Sequence, residues 1–436
     1  MGAWLSESGR LSRWCGKSRG KSQPASPVIG LAPFLGLVLF IRVLTDNLSP
    51  SDSRHSGSLN LSGSIAVLLI VVAVGMLLAR RRATRPTLIA ALWLCVWTAI
   101  AVSNRGLSTE MLREGVREAS VVAVAVIVCN ACGAVTVVAA TRIVQVAGFV
   151  PAIVALYQLA TDTGMLVANH IRSNGTFAHP NSAAMFFAIA VIASLWQYLD
   201  RGRRWFDLVL TALFVAATVA TFSIDGLAAT VAMLMSFGLL SVGSYRVKLV
   251  PCAVACVLVL AFFATPLGAE RIALESSTSV AAAERGEPNT TLAWRFHKWE
   301  TLLVKWERNP ILGQGLGTTT TESGIRGNEF AGALPHNEYL RYLVETGVVG
   351  LVILLGAVAV LVRRLVCIRR RDTGLDAGGF NAAPLAIATV VGCLVDSIAD
   401  NTFLNSPTCY AAALIVVSVI GVWDAHNRRN MSPRTV

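Results

Sequence analysis

Apolar residues run along this chain in long stretches, each closed by a short polar or basic break. A helix crossing a bilayer needs about 20 mostly apolar residues. Charge-free stretches of that order fall at residues 22–41, 55–79, 86–104, 119–141, 143–161, 173–199, 208–224, 226–245, 249–269, 346–362, 377–395 and 401–423. The pattern predicts an all-α polytopic membrane protein of about twelve transmembrane helices. Its tightest joints are Thr141-Arg142 and Ser223-Ile224-Asp225-Gly226, both read as turns. A basic N-terminal tail precedes the apolar run at residue 28, as in a signal peptide. That run lacks a small-residue cleavage site, so it reads as the first membrane helix.

One polar stretch is too long to be a turn. Residues 270–335 form a large loop, and within it 290–307 read as a helix. Arg295, Trp299, Leu302 and Trp306 fall on one face of that helix, and Trp294, Trp299 and Trp306 suit a position on the membrane surface. Asn309-Pro310 ends it. The glycine-rich turn Ile311-Leu312-Gly313-Gln314-Gly315-Leu316-Gly317 follows without Lys-Ser/Thr, so it is not read as a phosphate loop.

Charge sets the orientation. An even number of spans puts both termini on one side, and assigning them to the cytoplasm places 23 of the 37 Lys and Arg residues inside. The organisation is then a cytoplasmic tail (1–27), N-terminal helices (28–142), a core (143–362) with the extracytoplasmic loop 270–335, a cytoplasmic basic loop (363–376), C-terminal helices (377–423) and a cytoplasmic tail (424–436). Only 14% of residues are charged, against about 25% in soluble domains. The net charge of +12 is spread in clusters between apolar runs, which excludes a nucleic-acid module. Nine cysteines imply no disulfide framework, and Cys129-x-x-Cys132 lies mid-membrane with no partner pair, so no metal site is expected.

Candidate chemistry gathers on the outside face. His336 follows Pro335 at the mouth of a membrane helix, where an imidazole can accept a proton from a hydroxyl near neutral pH. Arg172 opens Arg172-Ser173-Asn174-Gly175-Thr176-Phe177-Ala178-His179-Pro180-Asn181. Its guanidinium fits either a lipid-phosphate anchor or a ligand phosphate. Arg295 fits a solvated basic face or a lipid diphosphate. Glu338, Arg341 and Glu345 are spaced to form a ladder, though Arg341 also has the reach for a phosphate. Asp225, Asp396 and Asp400 stand at outside helix ends, with structural and functional roles both open.

Three of these segments, in this order, resemble the O-antigen ligase and polymerase family of bacterial membrane glycosyltransferases. The first is Arg172-x-x-Gly175-Thr176-Phe177-x-His179-Pro180-Asn181. The second is Arg295-x-x-x-Trp299 followed by Asn309-Pro310-Ile311-Leu312-Gly313-Gln314-Gly315. The third is Pro335-His336-Asn337-x-Tyr339-Leu340 followed by Glu345-x-Gly347-x-x-Gly350. The family often has arginine after the serine of the outside turn; here Ile224 stands there.

The resemblance implies transfer of a glycan from a polyprenyl-diphosphate carrier to an acceptor hydroxyl at the outer face of the plasma membrane. It implies no cofactor and no metal. The partners implied are a lipid-linked oligosaccharide donor and a glycan, lipid or wall-polymer acceptor, with no nucleic acid. Carried over, His336 is the catalytic base. Arg172 and Arg295, with Arg341 as a further candidate, bind the diphosphate, and His179, Asn181, Trp299 and Asn337 support them. The rival class is a transporter or flippase of polysaccharide intermediates, which would place ionisable groups at mid-membrane and show repeat symmetry.

Overall fold

The computed structural model describes residues 30–48, 61–80, 109–130, 135–167, 170–200, 204–241, 245–266, 268–270, 273, 291–321, 334–371 and 382–431. The expected span 86–104 lies outside them. The apolar runs within them are helical: α1 (Leu31–Leu44), α2 (Leu61–Arg80), α3 (Thr109–Asn130), α4 (Val137–Thr161), α5 (Pro180–Asp200), α6 (Trp205–Ala220), α7 (Ile224–Leu240) and α8 (Tyr245–Phe263). After these come α9 (Thr291–Trp306), α10 (Glu338–Arg371), α11 (Ala383–Ala399) and α12 (Ser406–Met431). The chain is an all-α, membrane-type fold. Among the described residues, five helices, α2, α4, α5, α10 and α12, are long and apolar enough to cross a membrane. α1, α6, α7, α8 and α11 are shorter apolar helices.

α5 is the axis of the bundle. Every side chain from Ala183 to Gln197 is buried, as expected of a helix apolar all round. It packs against α4, α6, α7, α11 and α12. Its two ends differ in chemistry. At its start lie His179 and Asn181. About 20 Å away along its axis, Ser194 accepts from Gln145 of α4 at 3.0 Å. At that far end Arg142 pairs with the fully buried Asp207, and Arg364 pairs with Asp424.

The Arg142–Asp207 pair corrects the expected turn at Thr141-Arg142. α4 runs straight through Arg142 and starts instead at Thr136, whose hydroxyl accepts from Ala139 N at 3.1 Å. The charge did not end the helix because a carboxylate on α6 neutralises it. A second difference is a two-stranded antiparallel hairpin, β1 (Met165–Val167) with β2 (His170–Arg172), between α4 and α5. The turn at Ser223 is present as expected, with the Ser223 hydroxyl capping α7 at Gly226 N.

α10 begins at Glu338, eight residues before the expected span, and continues through the basic segment to Arg371. It is broken at Gly347 (φ 66°, ψ −171°). A break inside a helix orphans amides and carbonyls, which must find other partners when buried. The glycine-rich turn supplies them. Gln314 N and Gly315 N donate to Val344 O and Glu345 O at 2.8 and 3.0 Å, and Val348 N and Val349 N donate to Pro310 O and Ile311 O at 2.9 and 3.2 Å.

The turn and the break therefore interlock backbone to backbone, which leaves no room for a Cβ. One added at Gly347 would lie 2.2 Å from Ile311 O, and one at Gly313 (φ 76°) would lie 2.5 Å from Gly347 N. We expect Gly347→Ala to cost more than about 2 kcal/mol, from strain and lost backbone bonds together. Gly356→Ala, with nothing within 4 Å of the new atom, should be neutral or slightly stabilising. Thermal unfolding in detergent, followed by size-exclusion chromatography, separates the two.

Candidate active site

Two arms meet at the start of α5. The first is the loop from Arg172 to Asn181. It is held on several sides before any ligand is considered. Gln158 Oε1 on α4 accepts from Asn174 N and Gly175 N at 3.0 and 2.8 Å. Thr176 Oγ1 donates to Val43 O at 2.8 Å, and Ala178 N donates to Asp46 at 3.0 Å, tying the loop to the end of α1. Phe177 is fully buried against Phe186 and Phe187. Gly175 (φ 58°) sits where a Cβ would meet Pro151 O at 2.7 Å. These middle residues of the motif hold the loop's shape; its two ends carry the polar chemistry.

From those ends a continuous network crosses the site. Arg172 Nε donates to Thr221 O at 2.9 Å, and its Nη2 donates to Asn181 Oδ1 at 2.8 Å. The same Asn181 oxygen accepts from Ser223 Oγ at 3.1 Å. Asn181 Nδ2 donates to Asp225 Oδ2 at 3.2 Å. Asp225 accepts in turn from Arg295 of α9, from Nη2 at 2.9 Å and Nη1 at 3.4 Å. Two arginines 123 positions apart in sequence are thus joined through one amide and one carboxylate. Both are largely buried, Arg172 at 3% exposed and Arg295 at 8%.

The second arm carries His336. The Trp299 indole donates to Pro335 O at 2.7 Å, pinning the loop to α9. His336 N donates to Asn401 Oδ1 at 2.8 Å. The residue takes a left-handed backbone (φ 49°), a conformation costing a non-glycine residue roughly 1 kcal/mol and typical of sites that aim a side chain. Its Nδ1 lies 2.6 Å from Asp400 Oδ1. Burial opposes charge on Asp400, but the hydrogen bond and charge of His336 outweigh it and hold this carboxyl below the usual carboxylate range. Asn337 caps α10, its Oδ1 accepting from Leu340 N at 2.9 Å.

His179 joins the arms. Its ring centroid is 5.9 Å from that of His336, and its Nδ1 accepts from Asn181 N at 3.2 Å. Burial first, then the neighbouring charges of Arg172, His336 and Arg295, push its pKa down to about 3, with only Asp400 opposing.

The structure thus brings together His336, Arg172, Arg295, His179 and Asn181, with Trp299 and Asn337 holding the His336 loop. It does not bring Arg341 to them. Arg341 is 2% exposed and donates to Glu338 (Nε, 2.8 Å), Glu345 (Nη1, 3.3 Å) and Glu118 of α3 (Nη2, 3.2 Å). This is the expected ladder, with a third carboxylate added. Its guanidinium is occupied behind the site: Glu338 accepts from Asn401 Nδ2 at 3.3 Å, and Asn401 holds the His336 amide.

Asp225 and Asp400 were legible as carboxylates at outside helix ends but not as partners of Arg295 and His336. Asn401 gave no signal beyond following Asp400. Asp396 lies behind Asp400, its Oδ2 accepting from Thr402 Oγ1 at 2.9 Å.

The helical, membrane-type bundle thus holds an imidazole–carboxylate pair beside two guanidinium groups linked through Asn181 and Asp225. Residues 209–355 match the family model for O-antigen ligase. The match covers about a third of the 436 residues and supports placing the chain in the O-antigen ligase/polymerase family. It takes in the Ser223 turn, Arg295, Trp299, the interlocking glycine turn and His336; Arg172 to Asn181 lie before it and Asp400 beyond it. No curated protein matches the chain. Family and fold together indicate a multi-pass membrane protein with O-antigen ligase-like glycosyl transfer.

Proposed function

We propose that this protein transfers a glycan from a polyprenyl-diphosphate carrier to an acceptor hydroxyl on the extracytoplasmic side of the plasma membrane. The observation that carries this reading is the convergence of the His336–Asp400 pair with Arg172 and Arg295. Two further features support the orientation. The end opposite the site carries Arg142 and the basic tail of α10, where Arg369 donates to Leu240 O at 2.8 Å, and short basic segments favour the cytoplasm.

The geometry supports a role for each group. With Nδ1 held by Asp400, His336 takes the acceptor's proton at Nε2. The acceptor oxygen then attacks the anomeric carbon, and the bond from that carbon to the phosphate oxygen breaks with its electron pair leaving on the diphosphate. Attack opposite the leaving group inverts the anomeric centre. Arg172 and Arg295 stabilise the departing diphosphate, a task fixed positive groups in a dry site perform without a divalent ion. Asp400 stabilises the imidazolium until it passes its proton to water. Arg341 serves as a brace under the His336 loop rather than as a phosphate ligand.

The test is transfer itself. Purified protein in liposomes, given a short-chain lipid-diphosphate glycan and an acceptor, should form product of inverted anomeric configuration at the same rate with and without EDTA. Product that retains the donor's configuration would rule out a single displacement at His336. Asp400→Asn should keep the hydrogen bond and lose the charge. We expect kcat to fall about 10²-fold with little change in KM for the donor; an unchanged kcat would remove Asp400 from the mechanism.

A further inference from the structure

His179 has no task in the scheme above, yet it lies between the base and the arginines. Its Nδ1 accepts the Asn181 amide hydrogen. A protonated imidazole has no acceptor nitrogen, so this bond requires the neutral ring with its hydrogen on Nε2. The groups around it act in the same sense. Arg172, Arg295 and His336 all oppose a positive charge there, and Asp400 alone favours one. Among the described residues, no protein acceptor is bonded to Nε2, and the ring lies 5.9 Å from that of His336.

We propose that His179 is a fixed, uncharged hydrogen-bond donor, its Nε2–H serving an oxygen of the sugar-linked phosphate in the donor lipid. The inference rests on reading this as a lipid-diphosphate site. In an in-line displacement the acceptor oxygen at the base, the anomeric carbon and the sugar-linked phosphate follow in that order toward the arginines, which hold the leaving group. His179 stands between those same groups. Charge builds on that phosphate as the sugar bond breaks, so a donor placed there stabilises the transition state more than the bound substrate. A neutral donor also spares the site a third positive charge beside Arg172 and Arg295.

Three variants isolate the Nε2–H. His179→Ala and His179→Phe both lack it, Phe keeping the ring's bulk. In His179→Gln the side-chain amide nitrogen reaches the position of Nε2. All three lose the acceptor for the Asn181 amide, so that loss cancels in the comparison. We expect Ala and Phe to lower kcat about 10²-fold, with Gln remaining within about tenfold of wild type.

The second readout is binding of farnesyl diphosphate, a prenyl diphosphate without a sugar, by calorimetry. Phe should weaken it about tenfold and Gln much less. If Gln is as impaired as Phe in both readouts, or Phe binds and turns over like wild type, His179 is not a donor to phosphate. If wild type binds no prenyl diphosphate at all, the lipid-diphosphate reading fails and takes this inference with it.

Discussion

Replacing His336 with asparagine is expected to lower glycan transfer by about 10³-fold while leaving the fold intact. Asparagine is the informative choice because residue 336 has a left-handed backbone (φ 49°), which asparagine tolerates better than most residues. The backbone amide bond to Asn401 and the indole bond to Pro335 O do not involve the side chain, so the loop should keep its place. What goes is the base and its pairing with Asp400. The loss should appear in kcat, with donor binding nearly unchanged, because the imidazole acts on the acceptor. Alanine at the same position adds backbone strain to the chemical loss. A variant with wild-type turnover would remove His336 from the mechanism.

Arg295 should matter comparably, and in a way that separates chemistry from stability. Arg295→Gln removes a charge that stabilises the departing diphosphate, and we expect kcat/KM for the donor to fall 10²–10³-fold, on the order of a lost oxyanion donor. It also strips Asp225 of a bidentate partner in a largely buried setting; side-chain exposures of the pair are 10% and 12%. Leaving one charge of a buried pair unmatched costs about 3 kcal/mol. The double variant Arg295→Gln/Asp225→Asn relieves that charge. It should melt above the single variant and still fail to turn over. Recovery of transfer in the double variant would mean that Arg295 serves only to neutralise Asp225.

Much of this architecture was readable from local sequence, and the errors have a common cause. The apolar runs located most helices, and the 4-3-4 spacing of Arg295, Trp299, Leu302 and Trp306 located α9 within a residue at each end. The Glu338–Arg341–Glu345 ladder was legible because all three groups lie on one helix face. Arg142 was misread as a turn because a charge inside an apolar run looks like an end until its partner, Asp207, is known.

The same limit hid the purpose of the glycine segments. Gly347 marks a break that is stable only because residues 310–315, three dozen positions earlier, supply its hydrogen bonds. His336 pairs with Asp400 across 64 positions, and Arg295 with Asp225 across 70. Periodicity reports which face a residue occupies; it is silent on which helix lies opposite.

The most direct measurement follows the carrier. Wild-type protein and His336→Asn are placed in liposomes with a lipid-diphosphate glycan and an acceptor, and free lipid diphosphate and intact donor in each leaflet are quantified over time. Wild type should release lipid diphosphate in step with product, and the variant should release almost none. Intact donor crossing the bilayer with no sugar–phosphate bond broken, at equal rates in both proteins, would contradict a transferase and indicate a transporter.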